Sequence, residues 1–162
     1  MSFDEFAWQR TAGLVRLAWT ITRNRHDAED VAQEVLKRVF LKWNHVASRD
    51  RPDAYVYAIL VNACRDVDRR SWSRREVSTD PILLPDAEVV DPAERVARHD
   101  QLVRLLDTLP VKQRTALALR YCEALDDDLI AKAMNITTET VRSHCSKGIA
   151  SLRRAHIGSD AR

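Results

Sequence analysis

Residues 125–152 read LDDDLIAKAMNITTETVRSHCSKGIASL, two apolar patterns separated by a short polar break. The apolar positions before the break have helical spacing: Leu129, Ile130, Ala133 and Met134. Those after it are spaced by four, four and three residues: Val141, Cys145, Ile149 and Leu152. Asn135 tolerates the left-handed conformation that a tight turn needs, and Thr137 can cap the helix that follows. The stretch therefore predicts two helices joined by a tight turn, as in a helix-turn-helix.

The polar side of the second predicted helix supports a nucleic-acid interpretation. Its side chains can reach base edges and phosphates when such a helix lies in a DNA groove. They are Glu139, Thr140, Arg142, Ser143 and Lys147. The same spacing also occurs in ordinary helical hairpins, so a purely structural role stays open at this point.

Composition extends the helical prediction to the whole chain. Of 162 residues, 45% are hydrophobic and 31% charged, which suits one packed domain or two small ones. Three glycines and five prolines provide little material for hairpins. Apolar residues recur at helical spacing over about 4–24, 27–43, 53–75, 93–108 and 111–121. We therefore expect an all-α protein.

Charge and proline content divide the chain into three parts. Residues 1–75 hold 14 basic and 10 acidic side chains, and residues 101–162 hold 10 and seven. Residues 76–100 between them hold two basic and seven acidic side chains. Three prolines lie within 77–92. We predict two small helical domains, 1–76 and 93–162, joined by an acidic, proline-containing linker over 77–92.

The second predicted helix begins with an acidic segment, DAEDVAQEV over residues 27–35. Asp27 is the expected cap, and basic residues near the end of the helix complement its dipole. Its predicted buried side chains are Leu36, Val39, Phe40 and Trp43. The acids are either a solvated helix start or a surface for a basic partner.

The third predicted helix combines aromatic, amide and basic side chains. They are Tyr55, Tyr57, Asn62, Arg65, Arg69 and Arg70. Such residues suit stacking on unpaired bases and binding of their phosphates. The alternative is a core aromatic pair followed by a basic helix end, which the dipole also favours.

Several function classes find no support in the sequence. Cys64, Cys122 and Cys145 are odd in number and lack CxxC spacing, so we expect reduced, mostly buried thiols. We find no glycine-rich phosphate loop, no metal-ligand spacing and no catalytic constellation, and expect no enzyme activity, metal or cofactor. We also find no membrane-spanning run and no signal peptide, which predicts a cytoplasmic protein.

Taken in order, these segments resemble an extracytoplasmic-function (ECF) sigma factor, a two-domain promoter-recognising subunit of bacterial RNA polymerase. Residues 27–43 are similar to the family's polymerase-binding helix, with its D-x-x-D-V-x-Q-E pattern. Residues 54–75 are similar to the helix that melts and captures the minus-ten element. Residues 109–114, LPVKQR, resemble the entry to the fourth region, and 140–153 resemble the recognition helix for the minus-thirty-five element.

The resemblance implies a role for each set of site residues. The polymerase-binding set is Asp27, Asp30, Gln33 and Glu34. The minus-ten set has Asn62 as base reader, supported by Tyr55 and Tyr57, with phosphate contacts from Arg65, Arg69 and Arg70. In the minus-thirty-five set, Arg142 would read guanine and Glu139 would accept from cytosine. Thr140, Ser143 and Lys147 would contact the DNA backbone.

The resemblance also implies partners. They are promoter DNA and core RNA polymerase, through the clamp helices of its largest subunit and the flap of its second-largest subunit. An anti-sigma factor would cover the same surfaces, and the free protein would be a cytoplasmic monomer without membrane insertion. The alternative is a stand-alone helix-turn-helix regulator with an N-terminal dimerisation or sensing domain, which would bind operators without polymerase.

Overall fold

The computed structural model describes residues 1–71 and 101–160, and helices connected by short turns make up both ranges. Neither range contains a strand, so the all-α prediction is confirmed. The chain forms two compact units, one built on the N-terminal helices and one on the C-terminal helices. The predicted linker over 77–92 lies outside the described residues.

Four helices form the N-terminal unit: α1 (Phe3–Thr22), α2 (Arg25–Leu41), α3 (Trp43–Ala47) and α4 (Pro52–Ser71). The three long helices, α1, α2 and α4, pack against one another, and α3 contacts α2 and α4. The apolar stripe predicted for α1 is confirmed by the buried side chains Phe6, Leu14, Leu17, Ala18 and Ile21. The predicted third helix is confirmed as far as Ser71, beyond which its basic tail is outside the described residues.

The start of α2 differs from the prediction. Asn24, not Asp27, is the cap, because its Oδ1 accepts a hydrogen bond from the Asp27 amide at 3.0 Å. Asp27 lies in the first turn, where its charge still complements the helix dipole. The helix therefore begins at Arg25, two residues before the predicted start at 27.

Of the side chains predicted to be buried on α2, Val39 is fully buried and Leu36 is half-buried. The buried residues are Ala28, Val31, Ala32, Val35 and Val39, which begin nearer the start of the helix. Phe40 is 60% exposed, although the centres of the Phe40 and Phe3 rings lie 5.0 Å apart in an edge-to-face arrangement. Because α2 ends at Leu41, Trp43 begins α3 instead and packs against Phe6.

The C-terminal unit contains a helical segment at residues 101–107 (α5), α6 (Val111–Leu117), α7 (Asp127–Met134) and α8 (Thr138–Asp160). After α6 the chain continues as one wider π-helical turn over Ala118–Cys122. Its core is built from the fully buried side chains of Val103, Leu106, Leu119, Ile130 and Val141. The segment at 101–107, the π-helical turn, α7 and α8 thus each contribute a buried apolar side chain to the unit.

Gly148 permits the close packing of α8 on α6, a feature that sequence periodicity did not indicate. A Cβ atom at this position would lie 2.7 Å from Leu117 Cδ1 and 3.5 Å from Leu109 Cδ1. Leu117 therefore occupies the space that a larger residue 148 would need.

The side chains at 149 and 152, predicted to be on the apolar face, are only half-buried.

Candidate nucleic-acid interface

The turn between α7 and α8 has the predicted geometry. Asn135 adopts a left-handed conformation with a φ of 54°. The Ile136 amide donates to the Ala131 carbonyl at 3.0 Å, the bond that closes a Schellman motif. Thr137 Oγ1 then accepts from the Thr140 amide at 3.2 Å and caps α8. The turn chemistry read from the sequence is confirmed.

Asp126 fixes the other end of α7. Its Oδ1 accepts a hydrogen bond from the Leu129 amide at 2.8 Å, which makes it the helix cap. Asp127 and Asp128 follow in the first turn, where negative charge complements the dipole. Asp126 is thus the cap of α7, whereas Asp127 also contacts residues outside this helix.

The predicted DNA-contacting residues of α8 lie on one side of the helix, which we call the recognition face: Glu139, Thr140, Arg142, Ser143 and Lys147. All but Thr140 are exposed. Thr140 is half-buried, and its Oγ1 lies 2.8 Å from Thr137 Oγ1. Val141 and Cys145 face inward and are fully buried. The recognition face is thus rigidly backed by the core of the unit.

Positive charge borders this face. The pKa of His144 is lowered, first because the ring is partly buried and then because Lys112 and Lys147 are nearby. Lys112 comes from α6, so two elements contribute to the same positive region. A positive surface beside a helix-turn-helix suits contact with DNA phosphates.

Asp127 connects two arginines from different elements. Its Oδ1 accepts a hydrogen bond from Arg120 Nη2, and its Oδ2 accepts one from Arg142 Nε at 3.1 Å. These bonds, first the one from Arg120, lower the pKa of the Asp127 carboxyl. No sequence pattern indicates this network, because Arg120, Asp127 and Arg142 lie in three different elements whose mutual placement depends on tertiary packing.

In the N-terminal unit, α4 arranges its predicted site residues by helical period. Tyr55, Asn62 and Arg69 are seven residues apart, so they share one side of the helix, which we call the α4 face. Asn62 and Arg69 are exposed and Tyr55 is half-buried. Arg65 and Arg70 are exposed as well. Tyr55 and Arg69 are separated by about 21 Å along the axis, at 1.5 Å per residue.

Tyr57 does not join the α4 face. It follows Tyr55 by two residues, a turn of about 200° around the helix, and is only 5% exposed. Its hydroxyl accepts a hydrogen bond from Arg10 Nη2 at 3.2 Å. The prediction that Tyr57 supports an unpaired base is therefore corrected, because its ring is buried between α1 and α4.

Tyr55 has an existing contact that a base would have to replace or avoid. The Arg49 guanidinium lies 4.7 Å from the centre of its ring, at cation–π distance. Arg49 itself is exposed and lies in the segment between α3 and α4. One side of the Tyr55 ring is therefore covered by a cation that could instead meet a phosphate.

The predicted polymerase-binding acids lie on α2. Asp27, Asp30 and Glu34 follow a spacing of three and four residues and share one side, the acidic face. Glu34 Oε1 pairs with Arg38 Nε at 2.6 Å, which lowers the pKa of Glu34. Gln33 and Asp30 are exposed, while Asp27 and Glu34 are half-exposed. The structure brings the three acids together, and Gln33 lies at the edge of their face.

Metal-binding groups, membrane-spanning helices and exposed thiols bear on other functions. Within 1–71 and 101–160, no three His, Cys, Asp or Glu side chains are grouped so that they could hold a metal ion. None of the helices in these ranges has the length and apolar character needed to cross a membrane. Two of the three thiols, Cys64 and Cys145, are buried, and Cys122 is exposed.

The fold places the chain in the class of all-α proteins that contain a helix-turn-helix, and comparison with known proteins identifies its family. Residues 9–74 match the family Sigma-70 region 2, and residues 99–152 match Sigma-70, region 4. The RNA polymerase sigma-E factor of Streptomyces avermitilis is 31% identical over an alignment of 157 positions, which covers 94% of this chain and 84% of that protein. The ECF RNA polymerase sigma factor SigE of Mycolicibacterium smegmatis is 32% identical over 94% of this chain and 60% of its own length.

Solved structures show the same fold. The sigma factor RpoE, solved in complex with the anti-sigma factor NepR from Bartonella quintana, matches with a TM-score of 0.68 at 18% identity and covers 94% of each chain. CnrH, solved with the cytosolic domain of CnrY, matches with a TM-score of 0.64 at 18% identity, over 98% of this chain and 88% of that one.

The chain therefore belongs to the ECF group of the sigma-70 family of RNA polymerase sigma factors. The family consists of transcription initiation factors and is not a family of catalytic enzymes. The prediction of an alternative sigma factor is confirmed, and the rival prediction of a stand-alone regulator finds no support among these relatives.

Proposed function

We propose that this sigma factor uses three surfaces: the acidic face of α2 for core polymerase, the α4 face for the minus-ten element and the recognition face for the minus-thirty-five element. Residues 1–76 would form the first functional domain and 93–162 the second, joined by the linker at 77–92. We infer no catalytic activity for the chain itself. Its place of action would be the cytoplasm, where its polymerase works.

The proposal rests mainly on the exposed recognition face of α8. Its first two turns present Glu139, Arg142 and Ser143 to solvent, while Val141 and Cys145 are buried behind them. The N-terminal residues of a recognition helix are those that contact base edges in the major groove. Arg142 pairs best with guanine, and Glu139 accepts best from the amino group of cytosine. Lys147, one turn further, is suited to a phosphate.

The minus-ten assignment rests on the α4 face without Tyr57. Asn62 is exposed and offers both a donor and an acceptor, which reading the edge of an unpaired base requires. Tyr55 would stack on a base from the side opposite Arg49, or after Arg49 moves to a phosphate. Arg65, Arg69 and Arg70 would bind the strand's phosphates and make melting sensitive to salt.

The acidic face of α2 would meet basic residues of the clamp helices in the largest polymerase subunit. Asp30 is the most accessible acid of the three, with a side chain that is 56% exposed. Glu34 would have to exchange Arg38 for a polymerase cation, so its net contribution should be smaller. The second domain would reach the flap of the second-largest subunit.

Regulation by a protein inhibitor is part of the proposal. RpoE and CnrH, the structural neighbours, were solved with an anti-sigma factor and with the cytosolic domain of CnrY. An anti-sigma factor of this chain would cover the acidic face or the DNA-binding faces and so exclude polymerase or promoter. The free protein would be a monomer.

The role of Asn62 can be tested by promoter opening. We expect Asn62→Ala to reduce permanganate reactivity of minus-ten thymines at least tenfold, while core binding stays unchanged. Gln9→Ala is a matched control, because Gln9 is also an exposed amide but lies on α1. Unchanged opening by Asn62→Ala would remove Asn62 from the base-reading role.

The clamp assignment can be tested by competition. We expect Asp30→Arg to lose core polymerase to a second sigma factor at concentrations where the wild type does not. Asp50→Arg makes the same charge change at an exposed position between α3 and α4 and should compete like the wild type. Equal behaviour of Asp30→Arg and Asp50→Arg would refute the assignment to the acidic face.

A further inference from the structure

Asp127 has a position that capping of α7 does not explain. Its two carboxylate oxygens each accept a hydrogen bond from a different arginine, Arg120 and Arg142. Arg120 comes from the π-helical turn that follows α6, and Arg142 comes from the recognition face. A single carboxylate thus links the half-buried Arg120 to the surface proposed to read DNA.

The contact with Arg142 uses only one nitrogen of the guanidinium. Arg142 donates Nε to Asp127 Oδ2 at 3.1 Å. Among the described residues, no hydrogen bond engages its two terminal nitrogens, and its side chain is 63% exposed. Those terminal nitrogens are the donors that can pair with O6 and N7 of guanine. The carboxylate therefore fixes the direction of the guanidinium while its base-reading donors face solvent.

The pair formed by Arg120 and Asp127 is less exposed than Arg142 and holds the carboxylate in place. The side chains of Arg120 and Asp127 are 25% and 26% exposed, much less than that of Arg142. The bond from Arg120 is the main reason that the pKa of Asp127 lies below its ordinary value. Asp127 is therefore ionised at neutral pH, with one oxygen committed to Arg120 and the other directed at Arg142.

We propose that Asp127 is a positioning residue for base recognition, which orders Arg142 so that the recognition face discriminates guanine at one position of the minus-thirty-five element. This inference rests on the proposed function of α8. An arginine that is already ordered loses less rotamer freedom when it binds, so the correct base is recognised at a lower entropic cost. Asp127 itself contacts no base.

A simpler role for Asp127 gives a different expectation. If its charge only repelled DNA phosphates, its removal would strengthen binding to all sequences by a similar factor. Asp128 provides the matched control, because it is the next acid of the same helix turn and is exposed. Asp128→Ala changes the net charge equally and leaves the Arg120–Asp127–Arg142 network in place.

The first experiment measures the order of Arg142 in the free full-length protein. NMR relaxation of the arginine Nε–Hε groups should show a restricted Arg142 in the wild type and in Asp128→Ala. In Asp127→Ala the Arg142 signal should become as mobile as that of an unrestrained surface arginine. An Arg142 that is equally mobile in all three proteins would overturn the proposal without involving DNA or polymerase.

The second experiment measures base preference with core polymerase. Transcription from promoters with a randomised minus-thirty-five element gives the preference at each position. A bidentate arginine contact favours guanine over other bases by about fivefold or more. We expect the wild type to show such a preference at one position and Arg142→Ala to abolish it. Asp127→Ala should weaken the preference at that same position. Asp127→Asn, which keeps the shape and an acceptor oxygen, should retain part of it.

The outcomes separate this inference from the proposed function. If Asp127→Ala and Asp128→Ala raise transcription from all templates alike, with base preference intact, Asp127 is not a positioning residue. If the wild type directs no promoter-specific transcription, the proposed function itself fails. Thermal unfolding of each variant is compared with that of the wild type, to separate a loss of base preference from a loss of fold. Asp127→Asn is the milder change if Asp127→Ala destabilises the protein.

Discussion

Arg10 Nη2 on α1 lies 3.2 Å from the Tyr57 hydroxyl on α4, and the same nitrogen lies 3.0 Å from Asp53 Oδ1. The Arg10 guanidinium is also 5.7 Å from the centre of the Tyr57 ring. One arginine thereby joins the first and last helices of the N-terminal unit through a hydroxyl, a ring and a carboxylate. Tyr57 is a structural residue in this arrangement, and only Tyr55 remains as an aromatic side chain for the α4 face.

Replacement of Tyr57 by Phe should affect stability and not promoter opening. Loss of the hydroxyl removes one partly buried hydrogen bond, so we expect the free energy of unfolding to fall by about 1 kcal/mol. Urea denaturation measures this change, with Tyr55→Phe as a control that should be close to neutral. A selective loss of promoter opening in Tyr57→Phe would contradict the structural role.

Thiol reactivity should distinguish the three cysteines. Burial raises the pKa of the Cys64 thiol to about 12 and also raises the pKa of Cys145. Cys122 is exposed. Because the thiolate is the reactive form, a disulfide reagent at pH 7.5 should modify Cys122 quickly and the other two only on unfolding. Cys122→Ser should remove the fast phase of the reaction. Fast reaction of two or more thiols in the folded wild type would contradict the burial of Cys64 and Cys145.

Asn135 should resist replacement by residues that disfavour a positive φ. Its φ of 54° strains an alanine, and Asn135→Ala should destabilise the protein by about 1 kcal/mol. Asn135→Gly should cost less, because glycine adopts this conformation without a steric penalty. Thermal unfolding measures both changes, with Asn44→Ala in α3 as a control. Equal effects of Ala and Gly at 135 would argue against a strained left-handed turn.

The Asp127 carboxyl should stay ionised to lower pH than an unpaired aspartate. Its pKa is depressed from 3.8, first by the Arg120 hydrogen bond. A depressed pKa in the folded state means that its stabilising effect is present above the unfolded pKa and is lost as the pH falls through the folded value. An NMR titration of the Asp127 carboxyl should give a pKa below 3.8 in the wild type. This pKa should rise in Arg120→Ala and stay unchanged in the control variant Arg104→Ala. An unshifted carboxyl in the wild type would count against the network.

Local signals made the helix-turn-helix predictable. The turn at Asn135 and the cap at Thr137 each depend on residues within three positions, and both are confirmed. The buried pair Val141 and Cys145 follows directly from a spacing of four. Sequence period and capping chemistry therefore gave the correct orientation of the recognition face.

Features that depend on tertiary packing were not predictable in the same way. Phe40 fits a helical apolar period, yet the helices against which α2 packs cover other residues and leave it 60% exposed. Tyr57 was assigned with Tyr55, although two positions along a helix point to opposite sides. The contacts of Asp127 with Arg120 and Arg142 bring together elements whose mutual placement no local pattern specifies.

A sigma factor works as a subunit of RNA polymerase, and size-exclusion chromatography with light scattering measures whether this chain binds the core enzyme. The purified protein is mixed with bacterial core RNA polymerase that lacks other sigma factors. We expect a monomer when the protein is alone, and a one-to-one complex that co-elutes with core and starts transcription at defined promoters. A dimer that elutes apart from core and binds operator DNA by itself would contradict it.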